Sequence, residues 1–107
     1  MFYMFSQNNS GGSFDLDLKR GISEYVIIEA NSSDEAIDKA LEIGLYFDGE
    51  GDCPCCGYRW SSFCEETETP LIYSEEPSKY KSFFTEYHTC IHYSDGRIEA
   101  VRYEKNE

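Results

Sequence analysis

Residues 24–36 read Glu24-Tyr25-Val26-Ile27-Ile28-Glu29-Ala30-Asn31-Ser32-Ser33-Asp34-Glu35-Ala36, and two kinds of backbone meet inside that stretch. Tyr25 to Ile28 is aromatic and β-branched, bounded by charged residues, and therefore predicts a strand. Ser32, followed three positions later by Glu35, has the spacing of a capping box, in which side chain and backbone satisfy each other's amides. Asp34 and Glu35 also complement the positive end of a helix dipole. Ala36, Ile37, Ala40, Leu41 and Gly44 fall on one face of that helix, and Asp34, Asp38 and Glu42 on the opposite, solvated face. The small Ala36 and Ala40 let the helix lie close on a sheet. Gly44 is placed to end it in a left-handed conformation. A strand leading directly into a one-sided helix predicts an α+β layer structure.

Toward the N-terminus, Phe2 to Phe5 has strand composition and is apolar on both faces, which predicts a central strand. Ser6 to Ser13 is polar and rich in glycine. Its composition suits an ordinary turn first, and its backbone amides would also suit an anion cradle. No helix pattern follows the glycines, so it is not a nucleotide-binding fingerprint. As a ligand site it would consist of Gln7, Asn8, Asn9, Ser10, Gly11, Gly12 and Ser13, with the basic pair Lys19 and Arg20 nearby in sequence. Phe14 to Leu18 alternates apolar and acidic residues and predicts a short edge strand.

Toward the C-terminus, Tyr87 to Tyr93 alternates, Ser94-Asp95-Gly96-Arg97 signals a hairpin, and Ile98 to Tyr103 returns. A two-residue type I′ turn at Asp95-Gly96 would set Tyr93 opposite Ile98, Ile91 opposite Ala100 and Thr89 opposite Arg102. His88, Cys90 and His92 would then share one face with Glu99, Val101 and Tyr103. Between helix and hairpin, Ser61 to Phe63 reads as a short strand. Cys64 to Pro77, with Glu65, Glu66, Glu68, Glu75 and Glu76, reads as a mobile acidic excursion. The expected fold is one α+β domain over residues 1–107: a mainly antiparallel sheet of four to five strands, one helix on one face, and a cysteine-rich loop after the helix.

That loop is Asp52-Cys53-Pro54-Cys55-Cys56-Gly57-Tyr58-Arg59-Trp60. Cys53 and Cys56 have the spacing of a zinc knuckle, in which Pro54 fixes the entry and Gly57 frees the backbone to turn amides toward sulfur. Two further ligands are needed. Cys53, Cys56, Cys64 and Cys90 would make an all-thiolate zinc site, with His88 or His92 able to replace one member. The rival is that the cysteines are free thiols packed as small apolar groups. Cys55 or Cys90 beside His88 would be a nucleophile and base. Arg59 and Trp60 are residue types that anchor protein interfaces, and equally types that anchor a core.

Composition narrows the partners. Nine basic residues stand against 21 acidic ones, a net charge of −12 on 107 residues. Phosphate backbones need a basic footprint, so direct nucleic-acid binding is disfavoured, and the acidity fits either solubility or a basic protein partner. No apolar run is long enough to span a bilayer, and the short apolar N-terminus lacks the basic start of a signal peptide. Five cysteines, three of them within four positions, suit a reducing cytoplasm better than a disulfide framework.

Three segments together carry a resemblance: Phe5-Ser6-Gln7-Asn8-Asn9-Ser10-Gly11-Gly12-Ser13-Phe14, Gly44-Leu45-Tyr46-Phe47-Asp48-Gly49, and Asp52 to Gly57 with Arg59-Trp60. In these the chain resembles a family of small acidic bacteriophage-encoded proteins that have no assigned function. The resemblance implies an infected bacterial cytoplasm as the setting, and it supplies no activity or catalytic residues. With the charge, it points to a non-enzymatic accessory protein that binds a host protein and inhibits or redirects it, including host defence components. The acidic surface would serve for steering or for mimicry of nucleic acid. Partner-binding candidates are Glu65, Glu66, Glu68, Glu75 and Glu76, with Arg59 and Trp60. The alternatives are a nucleotide binder using the Gln7–Ser13 loop and a metal- or thiol-dependent enzyme.

Overall fold

Tyr25 to Ile28 is apolar without alternation because both of its faces are covered. Val26 and Ile28 pack with Tyr3, Phe5, Ala36 and Ala40, while Tyr25 and Ile27 pack with Met4, Ile72 and Ile91 on the opposite face. Val26, Ile27 and Ile28 are almost wholly buried, and burial of such side chains stabilises by about 1.5–3 kcal/mol each. This strand is the axis of the molecule.

The computed structural model describes residues 1–7, 16–45, 65–72, 75–80 and 87–103. In chain order the elements are β1 (Phe2–Ser6), β2 (Tyr25–Glu29), α1 (Ser33–Ile43), β3 (Glu65–Thr67), a 3₁₀ turn (Pro77–Lys79), β4 (Thr89–His92) and β5 (Ile98–Val101). The strands form one sheet in the order β3-β1-β2-β4-β5. Three pairings are antiparallel, as expected, but β2 and β4 run parallel, with Val26 beside Cys90 and Ile28 beside His92. The α+β class therefore holds with a mixed sheet. β2 is central, and β1 is interior beside it. The cysteine-rich loop and the Ser61–Phe63 strand lie outside the described residues.

Helix α1 begins and ends where its sequence says. The Ser32 hydroxyl accepts the Glu35 amide at 3.2 Å. Gly44, at φ 117, closes the last turn with its N–H directed at the Ala40 and Leu41 carbonyls. Ala36 and Ala40 are completely buried, but Leu41, expected on the same face, is half exposed. Ile43 and the buried Leu45 take its place, because the left-handed Gly44 turns the chain back onto the core.

Three local expectations are corrected. Of the edge strand expected over Phe14 to Leu18, Phe14 and Asp15 lie outside the described residues, and residues 16–18 form a tight turn joined by an Asp17–Ile22 bridge instead, with Leu16 and Leu18 exposed. The stretch from Glu65 to Pro77 is no free excursion among its described residues. It is pinned by β3, by the fully buried Ile72, and by the buried Pro77. The hairpin, finally, has three loop residues. Gly96 N–H donates to the Tyr93 carbonyl at 3.0 Å, and Tyr93 N–H to the Arg97 carbonyl at 2.9 Å. Gly96 lies at φ +95, which makes the loop a turn followed by a glycine bulge. Asp95 favours it: its carboxylate accepts the Arg97 amide at 3.0 Å, with Asp95 one position later in the turn than a two-residue loop would place it.

The bulge shifts the whole register by one. Thr89 faces Val101, Cys90 faces Ala100, Ile91 faces Glu99, and His92 faces Ile98. Since Tyr93 and Arg97 share a ladder bond, Arg97, Glu99 and Val101 direct their backbone toward β4, while Ile98 and Ala100 direct theirs away from the sheet.

At Gly96 a side chain would meet nothing within 4 Å, so Gly96→Val isolates the backbone cost of a positive φ. We predict a loss of about 1–2 kcal/mol in urea denaturation. An unchanged midpoint would mean that the bulge is misplaced.

Candidate functional site

Titratable groups of interest are distributed over both faces of the sheet. On the helix face, a cleft of about 250 Å³ lies between α1 and the β4–β5 hairpin, lined by residues that include Glu29, Lys39, Glu42, His92 and Tyr93. His92 is half-buried, and its Nε2 lies 2.7 Å from the Gly21 carbonyl. A carbonyl can only accept, so Nε2 carries the proton, and Nδ1 carries the lone pair of the neutral ring. Burial lowers the His92 pKa against the opposing effect of the Gly21 carbonyl. Lys39 is engaged at both ends of its reach, with the Glu29 carbonyl at 3.1 Å and the Glu35 carboxylate at 3.3 Å. Glu29 accepts the Ser94 amide at 2.9 Å, which holds its carboxyl below the usual range. The cleft therefore ties helix to hairpin through polar contacts already made.

Gly21 is what allows this. It lies at φ +75, and a Cβ there would sit 2.5 Å from the His92 ring and 2.9 Å from Ile98. The expected common face of His88, Cys90 and His92 holds for Cys90 and His92 alone. Cys90 lies beside Val26 and is fully buried, and burial pushes its thiol up to about 11. That environment opposes the thiolate that a nucleophile or a metal ligand requires. His88 instead packs edge-on against Tyr80, which packs edge-on against Tyr25 of the other face. Its Nδ1 contacts the Thr89 hydroxyl at 2.5 Å, and among the described residues its buried Nε2 has no hydrogen-bond partner. Burial lowers its pKa, with the Tyr80 and Pro77 carbonyls acting in the opposite sense. Among the described residues, no three His, Cys, Asp or Glu side chains are grouped to hold a metal ion.

The face opposite the helix carries a second groove, of about 240 Å³, with Ile91, Tyr93 and Val101 from the hairpin and Pro70 and Pro77 from the pinned stretch. Glu76 and Glu99 complete its lining. Tyr93 donates to Glu99 at 2.7 Å, and the Arg97 guanidinium lies 4.4 Å from the Tyr93 ring centre. Sequence reasoning missed Glu99, Tyr93 and Val101 as surface partners because a one-residue register error exchanges the faces of β5. The Asp95 carboxylate, one residue before a glycine, was the available signal.

The expected partner-binding acids fall around this groove and the β3 edge. Glu66, Glu68, Glu75 and Glu76 are exposed. Glu66 accepts from the Tyr3 hydroxyl, and Glu76 pairs with Lys79 at 3.7 Å in the open. Glu65 lies in the β3 ladder opposite Met4. Of the expected ligand loop, Gln7 is buried and donates its side-chain amide to the Ser23 carbonyl at 3.2 Å, pointing into the protein. Lys19 and Arg20 are exposed in the turn, where Arg20 lies 3.6 Å from Asp17. Asn8, Asn9, Ser10, Gly11, Gly12 and Ser13, like Cys53, Cys56, Arg59, Trp60 and Cys64, lie outside the described residues.

A family model described as "Domain of unknown function (DUF7296)" matches residues 1–106. The chain belongs to that family. No curated protein and no solved structure matches it. Among its described residues the chain has a mixed sheet, one α-helix, and no helix long and apolar enough to cross a membrane.

Two outcomes check this placement of the side chains. Gly21→Ala should cost more than Gly96→Ala although its φ is closer to the left-handed minimum, since only the former drives a methyl into His92. Equal losses would remove the His92 contact. The histidines, in turn, set a pH window. Both have folded-state values below the ordinary one of about 6.5. The unfolded chain therefore takes up protons first, and stability is full above about 6.5 and falls as the pH drops below it. Urea midpoints at pH 7.5 and 5.5 should differ, and His88→Gln should shrink that difference. The same difference in the variant would exonerate His88.

Proposed function

We propose that this chain is a non-catalytic, phage-encoded accessory protein that acts in the cytoplasm of an infected bacterium. It binds a basic surface of a host protein and inhibits or redirects it. The observation that carries this reading is the anchoring of the acidic stretch. Glu66, Glu68, Glu75 and Glu76 are exposed, yet the backbone bearing them is held by β3, Ile72 and Pro77. Carboxylates on a fixed scaffold present a defined pattern of charge and lose little conformational freedom when a cationic surface meets them. A net charge of −12 adds long-range attraction toward such a partner.

The chemistry of the described interior supports binding over turnover. The buried thiol of Cys90 is held protonated, and His92 spends its proton on a backbone carbonyl.

Immobilised protein exposed to bacterial lysate should capture a discrete host protein, and reversal of Glu68, Glu75 and Glu76 to Lys should abolish capture. The same reversal at Asp38 and Glu42 on the helix should leave most of it. Raising salt from low to physiological strength should slow association far more than it alters dissociation. Capture that is insensitive to salt, or equally weakened by both sets of reversals, would contradict the proposal.

A further inference from the structure

Among the described residues, β5 is the outer strand of the sheet on the side away from β3. Ile98, Glu99 and Ala100 are all exposed, so neither the helix nor the pinned stretch covers this strand. Its ladder groups at Arg97, Glu99 and Val101 face β4, which leaves the N–H and C=O groups of Ile98 and Ala100 directed outward. An open edge of this kind is a template for another strand. On the groove face the same edge presents Glu99 and Val101, with Glu76 across the groove. On the helix face it presents Ile98, which is 48% exposed, and Ala100.

We propose that the partner docks by strand addition at β5, through an extended segment that alternates apolar and basic residues. The proposal rests on the acidic-surface reading above and names its site and the form of its ligand. The backbone of the segment pairs with Ile98 and Ala100. In register, a side chain set beside Glu99 points over the groove, where a lysine or arginine lies between Glu99 and Glu76 with its stem against Val101. Side chains set beside Ile98 and Ala100 point to the other face and meet apolar surface. A second copy of this chain is the wrong occupant: each copy carries a charge of −12, and antiparallel self-pairing of Ile98 with Ala100 would also set Glu99 against Glu99. Charge complementarity selects a basic segment, and the alternation of the strand selects its pattern.

The open edge also supplies its own test. A proline at position 100 removes an outward N–H and no ladder bond to β4, so the fold tolerates it while strand addition does not. A fluorescein-labelled peptide of alternating valine and lysine is titrated into the full chain, beside a peptide of the same composition with its lysines in one block. The alternating peptide should bind saturably and at least tenfold more tightly than the block, and should slow exchange of the Ile98 and Ala100 amides. Ala100→Pro should weaken it at least tenfold with its thermal midpoint retained, and Ala100→Ser should not. Glu76→Lys with Glu99→Lys should weaken it as well. If Ala100→Pro does not fold, the exchange of those two amides in the unaltered protein decides alone. Binding of both peptides that depends on the acids but ignores Ala100→Pro would overturn strand addition and leave the acidic-surface reading standing. Failure of both peptides at low salt would overturn both.

Discussion

Burial of Tyr25 to Ile28 on both sides of one strand sets what the rest of the chain must supply. A strand with no wet face needs two covers and two neighbours. The helix provides the first cover through Ala36 and Ala40, whose size lets it lie close to Val26 and Ile28. Ile72 and Tyr80 provide the second, from a stretch whose composition is mainly polar and acidic. The neighbours are β1, antiparallel, and β4, parallel. A parallel partner cannot come from a tight turn, so the intervening chain must cross over and return. That return brings Ile72 and Pro77 across the face opposite the helix, and with them the acids they carry.

The same burial decides what the reactive side chains do. Cys90 and His92 leave β4 toward the helix layer, next to Val26 and Ile28. There the thiol is dry and protonated, and the imidazole meets the Gly21 carbonyl, which the missing side chain of Gly21 lets it reach. His88 lies just before the strand, where the alternation has not begun, and its ring turns to the opposite face against Tyr80. Three residues expected to share one face of the strand are therefore divided between two layers.

Much of the scaffold was legible because its signals are local. Tyr25–Ile28 needs no partner to look like a strand, and Ser32, Glu35 and Gly44 mark the helix by bonds made within it. What was not legible depends on contacts distant in sequence. The parallel pairing of β2 and β4 leaves no local trace. Ile72, one apolar residue among acids, reveals its role only when Tyr25 and Ile91 are beside it. The hairpin failed for a subtler reason: Asp95-Gly96 fits two turn types, and the carboxylate bond to the Arg97 amide selects the longer one. That single residue moved Glu99 to the groove face. Of the candidate site, the exposed acids were read correctly as surface, and their anchoring was not.

Which backbone groups of β5 face solvent decides whether the docking edge is open, and native-state amide exchange resolved residue by residue measures this directly. The glycine bulge requires slow exchange at Glu99 and Val101, whose amides face β4, and fast exchange at Ile98 and Ala100. Slow exchange at Ile98 and Ala100 with fast exchange at Glu99 would contradict the open edge on which the proposed docking depends.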